Sequence, residues 1–204
     1  MSYDTVFFDL DGTLIDPRPR LYRLFVELTG CDLTYDEYWQ LKGSGLRQSA
    51  MLEHIGYQGD ADGFSKKWLN QVEREDLLKE DKIFPDVRPA LDKLYAQGMK
   101  LYVVTNRQSF EGMQHELNWL KLDDGFTQLI TTRQQMPKAE AVKQAGINYQ
   151  RGFFVGDSKE DMEAARVLAI TSVLIQREDK KTDDIKADFY ISHMEELGSV
   201  LNEK

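Results

Sequence analysis

Cysteine is nearly absent from this 204-residue chain, with Cys31 standing alone. That excludes an internal disulfide and any cysteine-built metal cluster, and a reduced, cytoplasmic setting is expected. Long apolar runs are also lacking: none approaches the roughly 18 residues of a membrane span, which excludes an integral membrane role. The opening Met1-Ser2-Tyr3-Asp4 has no basic segment leading into an apolar stretch, so no secretory signal is expected there. Positive charge is in deficit, 26 Lys and Arg against 35 Asp and Glu, for a net charge of -9. Nucleic-acid polymers bind through phosphate neutralisation, so the balance argues against such a partner. Repeats and low-complexity segments are missing too. What is present is an ordinary globular composition, 41% hydrophobic and 30% charged. The length suits one full domain with a smaller insert.

Six short apolar stretches read as buried strands: residues 5–10, 100–105, 127–132, 152–156, 171–175 and 187–191. They are rich in Val, Ile, Phe and Tyr and lack the alternation of a half-exposed sheet. Helical spacing fills the gaps between them, with Leu91, Leu94 and Tyr95 on one face and Met113, Leu117 and Leu120 on another. Ala164, Ala165, Val167 and Leu168 crowd a third. Strands alternating with helices predict an α/β fold, a parallel sheet covered on both sides. Residues 17–82 break the pattern with helical signals only. Leu21, Leu24, Phe25 and Leu28 fit one amphipathic helix, and Phe64, Trp68, Leu69 and Val72 another. Tyr35 to Leu41 and Gln48 to Ile55 are shorter candidates, and Pro17, Pro19 and Pro85 mark the edges. The expected division is an α/β core of residues 1–16 and 83–204 with an all-helical insert over 17–82. The charged run over 178–184 reads as a solvated loop.

The first strand runs directly into Asp9-Leu10-Asp11-Gly12-Thr13. Two carboxylates therefore lie at its carboxyl end, where open α/β sheets bind ligands, and Gly12 permits a sharp turn. Alone, the pair is consistent with a capped turn. The other strand ends remove that reading. The second finishes in Thr105-Asn106, Lys138 opens a helix after the third, and the fourth ends in Gly156-Asp157-Ser158-Lys159-Glu160-Asp161. In a parallel sheet these groups converge on one rim. Carboxylates, a hydroxyl, an amide and a lysine are what phosphoryl transfer to an aspartate needs.

With these four motifs the chain resembles the haloacid dehalogenase superfamily over nearly its whole length, close to the phosphoglycolate-phosphatase-like branch with a helical cap. The resemblance implies a Rossmann-like parallel sheet with an inserted helical cap domain, and a phosphatase acting on a small phosphorylated metabolite. It implies that Asp9 attacks phosphorus to form an aspartyl-phosphate. Asp11 then protonates the leaving oxygen and later activates water. Mg²⁺ is the implied cofactor, held by Asp9, the Asp11 carbonyl and Asp157, with Asp161 orienting the shell. Lys138 would neutralise Asp9 and the phosphoryl group, and Thr105 with the Asn106 N–H would hold its oxygens. Two positions depart from the family pattern. Ala139 follows Lys138 where proline is usual, which leaves Lys143 as a competitor. Ala169 stands where glycine is common, so a different helix termination from the left-handed one is expected.

The cap would close over the site and expel water. Its loop Leu41-Lys42-Gly43-Ser44-Gly45-Leu46-Arg47 offers Lys42 and Arg47 to an anionic substrate, or is a helix turn with two solvated cations. Arg18, Arg20 and Arg23 near the linker are further candidates for that substrate, though arginines in such a place are more often just exposed. A β-phosphoglucomutase-like mutase and a non-catalytic binding protein on the same fold are the alternatives. Thr105-Asn106 fits the phosphatase form better than the mutase form. The intact set Asp9, Asp11, Thr105, Lys138 and Asp157 argues against a pure binder. Asp11 argues against a dehalogenase. Monomer and dimer are both compatible with the sequence.

Overall fold

A computed structural model of the chain describes residues 3–177 and 184–202. The charged run over 178–184 falls, apart from Asp184, outside the described residues. Among the latter, 3–16, 82–177 and 184–202 form one compact unit and 17–81 another.

The first unit begins with β1 (Thr5–Phe8) and a two-residue strand, β2 (Ile15–Asp16). The helical unit follows with α1 (Arg18–Thr29), α2 (Tyr35–Gly43), α3 (Gln48–His54), α4 (Ala61–Gln71) and α5 (Glu75–Leu78). The first unit then resumes with β3 (Lys82–Ile83), α6 (Val87–Ala96), β4 (Lys100–Thr105) and α7 (Phe110–Trp119). It continues through β5 (Phe126–Thr131), α8 (Lys138–Gln144), β6 (Gly152–Gly156) and α9 (Lys159–Leu168). It ends with β7 (Thr171–Ile175), β8 (Phe189–Ile191), a 3₁₀ turn and α10 (Leu197–Asn202).

Six of these strands form one sheet in the order β5-β4-β1-β6-β7-β8, with every neighbouring pair parallel. Both faces are covered, which is why the strands read as unbroken apolar runs. Val6, Phe8, Val103, Val155 and Val173 pack with residues of α6, α7 and α10 on one face. Phe7, Tyr102, Val104 and Phe154 pack with residues of α8 and α9 on the other. The chain leaves β1 toward β4 on one side and β6 on the other, so β1 is the topological switch point of the sheet. Just beyond it, Gly12 takes φ of 84° and its N–H donates to the Ile15 carbonyl at 2.8 Å. This tight turn leads into a short antiparallel ribbon in which Asp16 pairs with Lys82. Lys82, expected in the helical insert, therefore belongs to the α/β unit.

The helical unit is built by caps and aromatics. Thr34 and Glu37 close a capping box on α2, and Asp60 accepts from Gly63 N at 2.5 Å on α4. Phe25, Tyr38, Met51, Leu52 and Phe64 form its core, with Trp39 and Trp68 against it. Arg20 was expected at the surface but is buried, because Nε pairs with Asp81 at 3.0 Å and Nη1 donates to the Val72 carbonyl at 2.8 Å. Arg23 pairs with Glu27, Asp76 and Glu80 on the exposed side. Among the described residues no helix is long and apolar enough to cross a membrane.

Ala169 also differs from expectation. It adopts the left-handed conformation, φ 54° and ψ 40°, despite its methyl group. Its N–H donates to the Arg166 carbonyl at 3.1 Å and Ile170 N–H to the Ala165 carbonyl at 3.0 Å. Both bonds of a Schellman ending are thus made without glycine.

Candidate active site

Asp9 is the residue immediately after β1, and its N–H donates to the Val155 carbonyl at 2.9 Å, extending the ladder with β6. Its carboxylate is almost wholly buried. Lys138 supplies the nearest positive charge. Pro137 caps α8 in extended conformation and leaves Lys138 as its first helical residue. The buried Nζ donates to Asp9 Oδ1 at 2.5 Å and to Asp161 Oδ1 at 2.6 Å. Lys143, the competitor, is exposed on the same helix.

Asp161 is held from two sides. Its Oδ2 accepts from Ser158 N at 3.0 Å and from Ser158 Oγ at 2.5 Å, closing a capping box on α9. Asp161 reaches the site because Gly156 has no side chain, since a Cβ there would lie 2.3 Å from Asp161 Cβ and Cγ. Asp157, just past β6, is buried as well. One ligand oxygen from each of Asp9, Asp157 and Asp161 falls within 4.8 Å of the others.

These carboxylates set the electrostatics. Burial pushes the Asp9 carboxyl up; the Lys138 ammonium opposes this, the charge of Asp161 adds to it, and the result is about 7. Burial alone would lower the Lys138 ammonium, but the charges and hydrogen bonds of Asp9 and Asp161 outweigh it and raise it. The cluster thus gathers three buried carboxylates around one ammonium, an imbalance of acidic over basic groups in a low-dielectric setting. A hard divalent cation with oxygen ligands relieves that imbalance, and Mg²⁺ fits the all-oxygen donor set. Asp9 and Asp157 are the side chains suited to hold it, while Asp161 is engaged by Lys138 and Ser158.

Asp11 stands apart from this cluster. Arg107 Nε donates to its Oδ2 at 2.5 Å and Arg107 Nη2 to its Oδ1 at 2.8 Å. Thr105, at the end of β4, is buried, and its Oγ1 accepts from Arg107 N at 3.4 Å. The Asn106 side chain is fixed sideways: Oδ1 accepts from Thr132 Oγ1 at 2.6 Å and Nδ2 donates to Glu160 Oε2 at 2.8 Å. Of the residues singled out in the sequence, Asp9, Lys138, Asp157 and Asp161 meet in one cluster on the α/β unit. Thr105, Asn106 and Asp11 sit on neighbouring strand ends of the same unit.

Lys42 and Arg47 belong to the helical unit. Lys42 Nζ lies over three rings, 5.7 Å from the centroid of Tyr38, 5.3 Å from Trp39 and 5.9 Å from Trp68. Arg47 is exposed and precedes α3. Sequence reasoning passed over Arg107, Glu116 and Thr132. A lone glutamate between Met113 and Leu117 on the apolar face of α7 was the available signal, since a buried carboxylate demands a cation.

Known proteins with related chains place this geometry. The family model described as haloacid dehalogenase-like hydrolase matches residues 6–175. A phosphoglycolate phosphatase from Colwellia psychrerythraea is 30% identical over 196 residues, covering 83% of this chain and 83% of that protein. One from Pseudomonas savastanoi pv. phaseolicola is 28% identical over 186 residues, covering 83% of this chain and 68% of the relative. Among solved structures, a haloacid dehalogenase-like family hydrolase from Streptococcus pneumoniae superposes with a TM-score of 0.77 at 20% identity. That match covers 97% of this chain and 98% of the other and speaks for the fold. A site at the switch point of a parallel sheet, carried on these motifs and matched over most of the chain, leaves one assignment: the chain belongs to the haloacid dehalogenase-like hydrolase family.

Proposed function

We propose that the protein is a Mg²⁺-dependent phosphatase that hydrolyses a small phosphomonoester through an aspartyl-phosphate on Asp9. The observation that carries this reading is the buried contact of Lys138 with both Asp9 and Asp161. It holds the carboxylate in place and supplies positive charge where a phosphate dianion must approach an anion. An Asp9 oxygen attacks phosphorus and the bond to the leaving oxygen breaks, with Asp11 delivering the proton to that oxygen. Water then attacks the phosphorus of the aspartyl-phosphate, Asp11 takes its proton, and the bond to Asp9 breaks to release inorganic phosphate. Thr105 and the Asn106 N–H take the phosphoryl oxygens during both transfers. Asp9 and Asp157 with the Asp11 carbonyl would hold Mg²⁺, which would supply neutralising charge to the phosphoryl group.

The relatives' names put phosphoglycolate first among candidate substrates. The helical unit is proposed as a cap, with Lys42 and Arg47 as its contacts to the substrate beyond the phosphoryl group. We place the protein in the cytoplasm, a reading supported by its single free cysteine.

The test is inorganic phosphate release from a panel of phosphomonoesters headed by phosphoglycolate, with and without Mg²⁺, for wild type and Asp9→Asn. Metal-dependent release lost in Asp9→Asn is expected. Turnover retained in a pure Asp9→Asn preparation refutes the nucleophile. Isomerisation of a sugar phosphate without net phosphate release points to the mutase instead.

A further inference from the structure

One ion pair of the site is not used by the chemistry above. Arg107 follows Thr105-Asn106 at the end of β4, with its side chain only 4% exposed. Two nitrogens of its planar guanidinium engage the two Asp11 oxygens separately, at 2.5 and 2.8 Å. A bidentate fork of this kind fixes the plane and direction of a carboxylate as well as its charge. Behind it, Glu116 on α7 is wholly buried and lies 3.1 Å from Arg107 Nη2. Glu116 already balances the buried guanidinium. The second pair is therefore not needed to neutralise Arg107, and its remaining effect falls on Asp11, whose side chain is 30% exposed. Asp11 sits on the loop after β1, one residue before Gly12, whose φ of 84° turns the chain there.

We propose that Arg107, braced by Glu116, is the positioning residue that aims the Asp11 carboxylate at the leaving oxygen. The inference rests on Asp11 as the proton donor of the proposed function. Proton transfer needs heavy atoms within about 3 Å, and an error of about 1 Å in placement costs on the order of 100-fold. A charge alone at position 107 would not reproduce the aim; a fork does.

The experiment uses the full chain with Mg²⁺ and compares kcat/KM for two phosphomonoesters. In p-nitrophenyl phosphate the leaving oxygen departs without a proton, whereas in phosphoglycolate it departs as an alkoxide that must be protonated. Both are measured for wild type, Asp11→Asn, Arg107→Lys and Glu116→Gln. Arg107→Lys keeps the charge and loses the fork. The expected result is that Asp11→Asn and Arg107→Lys each lower the alkyl ester at least about tenfold more than the aryl ester, because a donor contributes about 10²–10⁴-fold only where a proton is needed. Glu116→Gln shifts the ratio in the same direction by less. A purely structural role lowers both esters equally. Equal losses in Arg107→Lys and Glu116→Gln beside a selective loss in Asp11→Asn overturn the positioning role and leave Asp11 as the donor. No selective loss in Asp11→Asn removes the donor and the inference together. Should Arg107→Lys fail to fold, the ratio in Glu116→Gln decides alone.

Discussion

Replacing Lys138 by methionine keeps an unbranched side chain out to Cε and removes the ammonium from between two carboxylates. Nζ lies 2.5 Å from Asp9 Oδ1 and 2.6 Å from Asp161 Oδ1, all three groups being buried. Removing one partner of a buried pair leaves its counter-charge without compensation, which costs about 3–5 kcal/mol. For a chain of this length that is a fall in Tm of about 6–20 °C, at about 2–4 °C per kcal/mol. In the proposed function Mg²⁺ is held by the same carboxylates, so it should recover more stability in Lys138→Met than in wild type. A ligand at one hundred times its Kd contributes about 2.7 kcal/mol. Activity should not recover with it, because in the proposed function Lys138 also neutralises the phosphoryl group, and losing one such donor costs about 10²–10³ in kcat. The assay is thermal denaturation in EDTA and in Mg²⁺, paired with phosphate release at saturating Mg²⁺. A variant with wild-type Tm in EDTA, or with kcat within a few-fold of wild type, refutes the reasoning.

The Asp9 carboxyl, raised from 3.8 to about 7 in the metal-free protein, gives a pH prediction of definite sign. A raised acid contributes stability below its ordinary range and loses it as pH climbs toward 7. The Tm in EDTA should therefore fall from pH 4 to pH 7 more steeply in wild type than in Asp9→Asn, and the Mg²⁺-induced rise in Tm should grow over the same window. Identical slopes for the two proteins would count against it. Gly156→Ala places a methyl 2.3 Å from Asp161. It should cost about 1–3 kcal/mol and displace Asp161 from Lys138, read as a joint loss of Tm and kcat; a variant unchanged in both is incompatible with the close approach. Ala169→Gly relieves about 1–2 kcal/mol of left-handed strain against about 0.5–1 kcal/mol of added chain freedom. Tm should rise by about 1–3 °C at unchanged kcat, and a drop in Tm would show that the helix end is not strained.

The strands were legible because both faces of this sheet are covered. Phe7 and Phe8 point to opposite cores and are equally buried, so β1 shows an apolar run rather than an alternation after Thr5. Parallel connections then force every carboxyl end onto one rim, which is how Asp9, Thr105 and Asp157 could be placed together from sequence order alone. Where one face is wet, the pattern misled. Tyr95, Leu69 and Val167 fit helical apolar faces and are 65%, 41% and 43% exposed. The ribbon of β2 and β3 has two residues per strand, too few for any period to register. Ala169 shows the converse: the two Schellman bonds and the burial of Ile170 outweigh a local preference against positive φ.

Arg107 was illegible for a different reason. Its partner Asp11 lies 96 positions away, and neither periodicity nor motif spacing encodes which of the rim's cations meets which carboxylate. Charge counting narrows the choice. Four aspartates reach the rim, three of them in the buried cluster, and Lys138 can touch only two of them. In the proposed function Asp9 and Asp157 share a cation with the substrate, whereas the Asp11 carboxylate is held by a side chain of the protein. A buried arginine does that while leaving the cluster's negative charge to attract the metal. The division follows from the chemistry proposed: the group that attacks needs a mobile counter-ion it can share with phosphate, and the group that moves a proton needs a fixed direction. Lys138 and Arg107 answer these two needs on opposite sides of β1, and exchanging their chemistry, lysine at 107 or arginine at 138, should damage proton transfer in the first case and nucleophile placement in the second.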